Sequence, residues 1–238
     1  MQLHDKVVVI TGSGRGIGAA MARRFSAEGA KVVITDQDPD GVARVAGEIG
    51  SVGLACDITV EDNVKAVAKL ARDTYGEIDV WFSNAGFAGP RQPGDIQSNE
   101  LWKLNWELHV MSHVYAVREV LPAMLARGDG YLLQTASSTA LSVQPEKLAY
   151  TVTKTGALAL AEWLAINFRK RGVKVSCFCP GPMLTPMLLS NDFPDDHPVL
   201  KMALTPEAVA ELLVQAIGDE RFLIVDDSPG GVEAVHKK

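Results

Sequence analysis

Seven short runs of aliphatic and β-branched residues limit this chain more than any other feature. They are Lys6–Ile10, Lys31–Thr35, Val52–Cys56, Ile78–Phe82, Tyr131–Thr135, Val173–Phe178 and Phe222–Val225. They are nearly continuous in Val, Ile and Leu instead of alternating apolar with polar residues. A strand of that kind has two faces to hide, which a parallel sheet covered on both sides provides. Helical patterns lie between the runs, at residues 17–28, 39–49, 61–74, 98–127, 147–171 and 206–218. The alternation has no linker, repeat or low-complexity tract. It predicts a single α/β domain, a doubly wound seven-stranded parallel sheet in a three-layer αβα arrangement.

Local signals agree. Thr205 and Pro206 read as an N-cap and a first-turn proline. Arg169, Lys170 and Arg171 before Gly172 read as a cationic last turn and a glycine stop. The prolines and acids of 191–198 predict a loop, within a segment at 182–205 expected to form a lid on the substrate side. With 238 residues, 47% of them hydrophobic, the chain can bury one substantial core. Its net charge of -6 argues against nucleic acid as the main partner, because phosphate binding needs a basic face. Cys56, Cys177 and Cys179 are odd in number and two lie in or beside an apolar run, which predicts reduced, packed thiols. Cys177 and Cys179 lack further ligands at useful spacing, so no metal is expected. No charged-then-apolar leader precedes the first run, and no apolar stretch is long enough to span a bilayer. A cytoplasmic protein without a membrane partner is expected.

Thr11-Gly12-Ser13-Gly14-Arg15-Gly16-Ile17-Gly18 follows the first run and opens the first helical pattern. Glycines in such a turn let the backbone approach a pyrophosphate, and the helix N-terminus offers unpaired N–H groups with partial positive charge. Residues Gly12, Ser13, Gly14, Arg15, Gly16, Ile17 and Gly18 are therefore expected cofactor contacts. Asp36 ends the next strand, 24 residues past Gly12. A carboxylate there can accept both ribose hydroxyls of NAD and would repel the 2′-phosphate of NADP. The pattern predicts a Rossmann-like fold that binds NAD in preference to NADP. Arg15 pulls the other way, since a basic residue in this loop can pair with that phosphate. Asp36 also fits an ordinary turn carboxylate.

Tyr150 and Lys154 stand four residues apart at the start of an Ala- and Leu-rich helical pattern, and so share a face. A free phenol titrates near about 10. An adjacent ammonium and a cationic nicotinamide ring would both favour the phenolate, tuning Tyr150 toward acid–base work worth about 10²–10⁴ in rate. Taken alone, the pair equally fits a tyrosine packed over a lysine; the glycine-rich turn upstream gives it weight.

Together these motifs resemble the short-chain dehydrogenase/reductase family over nearly the whole chain. The family's T-G-x-x-x-G-x-G matches Thr11, Gly12, Gly16 and Gly18. Its acid after the third strand, an adenine contact, matches Asp57, with Ile58 next to it. Its N-N-A-G appears as Ser83-Asn84-Ala85-Gly86, with Ser in place of the first Asn. Its catalytic Ser, thirteen residues before the Tyr, matches Ser137 and not Ser138. Its P-G-x-x-x-T matches Pro180-Gly181 through Thr185, spanning Met183, where the Thr bonds the nicotinamide carboxamide. The resemblance implies that Tyr150 exchanges a proton with the substrate oxygen and that Ser137 orients that oxygen. It implies that Lys154 holds the ribose hydroxyls and shifts the tyrosine, while hydride passes between nicotinamide and substrate carbon. One departure lies in the long helical pattern at 98–127. The family's Asn of the proton relay is replaced there by His109; Asn105 is one turn earlier. An imidazole can donate and accept, so His109 fits either the relay or a buried site with a satisfied partner. His109 and His113 form an i, i+4 pair without a third metal ligand.

Substrate specificity is expected beyond the strand ends, from Phe87 onward, at 138–144 and at 182–198. Ser137, Val143, Gln144 and Met187 are the expected substrate contacts. Met183, Met187, Leu188, Leu189 and Phe193 make the last segment apolar. They predict either an apolar alcohol or ketone as substrate or a lid that simply packs. The tail lacks the T-G ending that in the family helps one tetramer interface. A homodimer through 98–127 and 147–171 is thus preferred to a homotetramer. Three functions fit these residues: an NAD-dependent alcohol dehydrogenase or ketone reductase, an NADPH-preferring carbonyl reductase using Arg15, and a dinucleotide-binding sensor without turnover. The intact Ser137, Tyr150 and Lys154 count against the third.

Overall fold

The computed structural model describes residues 1–191 and 193–226. Seven parallel strands form one sheet: β1 (Val7–Thr11), β2 (Lys31–Asp36), β3 (Val52–Ala55), β4 (Val80–Ser83), β5 (Gly130–Thr135), β6 (Val173–Phe178) and β7 (Leu223–Ile224). Their order is β3-β2-β1-β4-β5-β6-β7, and Val8 of β1 pairs with Val32 on one side and Val80 on the other. The helices are α1 (Gly16–Ala27), α2 (Pro39–Ile49), α3 (Glu61–Tyr75), α4 (Asn99–Trp106), α5 (Ser112–Arg127), α6 (Leu148–Phe168), α7 (Pro186–Leu189), α8 (Pro198–Met202) and α9 (Pro206–Gly218).

The continuous apolar runs follow from this layering. In β1, Val7 and Val9 join a core with Val64 of α3, Ala116 of α5 and Ala157 of α6. Val8 and Ile10 point the opposite way, into a second core with Ala19 of α1, Val42 of α2 and Val209 of α9. Both faces of the strand are dry, so neither accepts an alternating polar residue. The winding reverses between β1 and β4. The crevice outside their carboxyl ends is where such sheets bind ligands, and it receives the glycine-rich turn from β1 and Asn84 from β4.

The expected fold class holds, with local differences. The 98–127 pattern is α4, a π-helical turn over Glu107–Met111, and α5. The π turn inserts one extra residue and re-aims the side chains that follow. Within 182–205, α7 and α8 each begin on a proline at the first helical position. Proline suits that place because its fixed φ is helical and its missing N–H is not needed. Thr205 caps α9 by accepting the Ala208 N–H at 3.2 Å, and Gly172, at φ 88°, ends the turn after α6. The tail past Asp226 and its missing T-G ending lie outside the described residues. The cysteines are free thiols. No helix among the described residues is long and apolar enough to cross a membrane. No group of three or more potential metal ligands occurs among them.

Candidate active site

The turn after β1 is braced from beneath. Gly12 has φ 65°, and a Cβ there would stand 2.7 Å from the Cα of Ala85, which only glycine avoids. Thr11 Oγ1 accepts the N–H groups of Asn84 and Ala85 at 2.9 and 3.1 Å. Asn84 Nδ2 donates to the carbonyls of Thr11 and Gly12 at 3.0 and 3.3 Å. No side chain caps α1 and no acid sits in its first turn, which leaves the positive helix end open to an anion. Two expected cofactor contacts are corrected. Ser13 is fully buried; its hydroxyl donates to the Ile10 carbonyl at 2.7 Å and accepts the Thr35 N–H at 2.9 Å. Gly14 is buried and donates its N–H to Asp36 Oδ2 at 3.0 Å. Both residues face inward because they stitch the turn to β2.

Asp36 closes β2 beside this turn. Its carboxylate also accepts the Asp38 N–H at 3.1 Å, which fixes its orientation. Arg15 is exposed nearby and makes no side-chain hydrogen bond or ion pair with another described residue. Asp57 Oδ1 accepts the N–H and hydroxyl of Thr59 at 2.9 and 2.8 Å.

Tyr150 occupies the first turn of α6 and Lys154 the next. Lys154 is 1% exposed and donates to the Thr135 carbonyl at 2.9 Å. The Thr135 hydroxyl donates to Asn84 Oδ1 at 3.3 Å, so one hydrogen-bonded chain links the glycine-rich turn to the lysine. Burial lowers the Lys154 ammonium from 10.5 to about 8. Ser137 follows β5; its oxygen accepts the Thr139 N–H at 3.2 Å, and its hydroxyl is hydrogen-bonded to Tyr150. Burial pushes the Tyr150 phenol above its usual value, and the Ser137 bond works against that rise. The Lys154 ammonium stands 5.8 Å from the phenol ring centroid, and in the protein alone burial is the largest influence on the phenol.

His109 lies in the π turn and is fully buried. Its Nε2 accepts the Phe87 N–H at 3.1 Å, and its Nδ1 is 2.9 Å from Thr153 Oγ1. An acceptor at Nε2 assigns the proton to Nδ1, which donates to Thr153; that hydroxyl donates onward to the Ala149 carbonyl at 2.8 Å. Burial holds the imidazole neutral, well below its usual titration range. The ring stands edge-on to Tyr150, with centroids 5.3 Å apart. Of the two places open to His109, a proton relay or a buried site with a satisfied partner, its bonds to Phe87 and Thr153 fit the second. His113 is buried one turn further on; burial, with the Lys154 charge, pushes it down to about 3, against an opposing contact with Gln134. Asn105 is buried and bonds the Leu101 carbonyl within its own helix.

One cleft of about 1030 Å³ joins these parts. Gly12, Arg15, Gly16, Ile17, Gly18, Asp36, Asp57 and Ile58 line it, with Asn84 and Ala85 against the glycine-rich turn. Gly86, Ser137, Gln144, Tyr150 and Lys154 line the same cleft, and Pro180, Gly181, Met183, Thr185 and Met187 complete the wall. Val143 is corrected: it is 76% exposed and off the wall.

Several supports had no pattern to announce them. Asp226 Oδ2 accepts the Gly181 N–H at 2.6 Å and fixes that loop from beyond β7. Gln97 accepts the Ala149 N–H at 2.8 Å, anchoring the start of α6. Arg91 pairs with Glu146 at 3.0 Å and lies over the Phe193 ring at 5.0 Å, tying the loop after β4 to the 182–205 segment. Thr153 stands directly before Lys154; its adjacency to that residue was the one available signal.

Residues 6–193 match the family model described as short chain dehydrogenase. The 1-deoxy-11-beta-hydroxypentalenate dehydrogenase of Streptomyces exfoliatus is 35% identical over 235 residues, covering 96% of this chain and 85% of that protein. The 3-ketoacyl-(acyl-carrier-protein) reductase of Brucella melitensis, solved with NADH, matches with a TM-score of 0.83 and 32% identity over 90% of this chain and 91% of that one. L-Sorbose reductase of Gluconobacter frateurii, solved with NADPH and L-sorbose, matches with a TM-score of 0.80 and 30% identity over 91% of each chain.

Proposed function

The chain belongs to the short-chain dehydrogenase/reductase family, and from that premise we propose that it is an NAD-dependent oxidoreductase of a secondary alcohol or ketone with an apolar body. The observation that carries the reading is convergence. Ser137, Tyr150 and Lys154 line the same cleft as Asp36 and the glycine-rich turn. The cradle fits a dinucleotide, because the close approach of Gly12 to Ala85 sets the turn on the cleft wall and α1 presents an uncapped N-terminus there. Asp57 and Ile58 suit the adenine end, Asp36 the ribose hydroxyls, and Thr185 the carboxamide. When bound, NAD supplies the hydride acceptor or donor.

The chain's own residues handle the proton and the oxygen. Ser137 donates a hydrogen bond to the substrate oxygen and orients it over Tyr150. The Tyr150 hydroxyl gives or takes the proton at that oxygen. Lys154 places a buried ammonium near the ring, favouring the phenolate as the proton leaves. His109 and Thr153 hold the backbone of Phe87 and the start of α6. The 182–205 segment acts as a lid, tied down by Arg91 against Phe193.

NAD is preferred over NADP because the Asp36 carboxylate is fixed beside the turn. A second reading, an NADPH-preferring reductase, draws on Arg15, whose side chain is free at the same edge. A second copy of the chain is the expected cover for Trp106 on α4 and for Trp163 and Ile166 on α6, exposed by 45%, 56% and 80%. The test is a coupled screen of apolar alcohols and ketones with NAD and NADP side by side, repeated with Tyr150→Phe. NAD-linked turnover that disappears in the variant supports the reading. Tight NAD binding with no absorbance change across the panel would favour a sensor instead.

A further inference from the structure

We propose that the substrate carries a carboxylate and that Lys147 is its anchor. The proposal rests on the dehydrogenase reading and names the substrate class of the same cleft. Lys147 lies on the cleft wall, half-buried, at the N-cap of α6 and three residues before Tyr150. No side-chain hydrogen bond or ion pair reaches its ammonium from any described residue.

Two charged neighbours act on it: Arg91 repels it and Glu146 attracts it. Glu146 is already held by Arg91 at 3.0 Å. Among these described groups, two cations and one anion leave one net positive charge on the cleft wall, in a chain of net charge -6. Burial disfavours the Lys147 ammonium further, as does Arg91. A half-buried cation without a counter-ion is costly, and a ligand that supplies one recovers the cost. The positive end of α6 adds to the attraction. One net charge matches a carboxylate monoanion and leaves a phosphate dianion half-compensated. The same cleft has an apolar part to its wall, with Phe87, Leu104, Met187 and Leu188. The complementary molecule is a keto or hydroxy acid: an apolar body with its oxygen at Tyr150 and its carboxylate at Lys147.

Calorimetry on the NADH-loaded Tyr150→Phe protein tests this without turnover, using 3-oxocyclohexane-1-carboxylate and its methyl ester as probes. The acid should bind at least about tenfold more tightly than the ester, the scale of one charge-assisted hydrogen bond. Lys147→Met should bring the ratio near one, and Lys147→Arg should keep it. Equal affinities for acid and ester, including binding of neither, overturn the anchor, as does an unchanged ratio in Lys147→Met. Failure of NADH itself to bind overturns the dehydrogenase reading beneath it.

Discussion

Replacing Lys154 by Met should abolish turnover and make the protein more stable at pH 7. The ammonium is 1% exposed and titrates at about 8, against 10.5 in the unfolded chain. At about 1.36 kcal/mol per pH unit, the folded state carries a cost of about 3 kcal/mol for keeping that charge. Methionine is similar in length and needs no hydration. It does leave the Thr135 carbonyl without its donor, a loss of about 1 kcal/mol. The net gain is about 2 kcal/mol, or about 4–8 °C in Tm for a chain of this size. The pH dependence has a definite sign. Below the folded value of about 8 both states hold the proton, so the cost is complete. As pH rises from 8 toward 10.5 the unfolded chain keeps a proton that the folded one has released. Wild-type stability then climbs by about 3 kcal/mol, and the variant ends about 1 kcal/mol less stable than wild type, the loss of the Thr135 donor. Urea unfolding at pH 7 and pH 10.5 measures both. A variant no more stable than wild type at pH 7, or one whose advantage persists undiminished at pH 10.5, would refute the reasoning.

Asp36→Asn should shift the NAD-to-NADP preference toward NADP by about tenfold or more, read from kcat/KM with each cofactor, because it removes the charge facing a 2′-phosphate. An unchanged ratio would show that Asp36 serves the turn alone. Thr153→Val should destabilise by about 1–3 kcal/mol, since the buried His109 Nδ1–H loses its acceptor, and Thr153→Ser should restore it in the same denaturation assay. If Thr153→Val is neutral, His109 is not held as described. Wild type should sediment as a dimer and the double variant Ile166→Asp, Trp163→Asp as a monomer, while a dimer that survives both changes would place the interface elsewhere.

Much of the fold was legible because a parallel sheet writes itself plainly. Two dry faces demand continuous Val and Ile, and β1 and β2 are written that way. The glycine-rich turn was legible for a related reason: Gly12 is dictated by one close backbone approach, to Ala85. What the sequence hid depends on distance or on backbone register. The π turn at Glu107–Met111 has no signature in a 3.6-residue period, so 98–127 reads as one helix. The state of His109 is decided by Thr153, 44 residues away, and by the Phe87 N–H. Ser13 looks like a phosphate contact by position. Only the folded turn shows its hydroxyl spent on β2. Proline has two uses in this stretch: Pro198 closes the loop read at 191–198 and is also the first residue of α8.

The bond from Gly181 to Asp226 also sets an order of events during synthesis. Gly12, in the turn after β1, leaves the ribosome long before Asp226, the brace of the Gly181 loop. Until β4 is made, β1 has an unpaired edge and a bare apolar face, the kind of surface that recruits chaperones or sticks to neighbours. The glycine-rich turn is therefore made while the Gly181 loop still lacks its brace, and that part of the cleft wall is fixed only once Asp226 has followed.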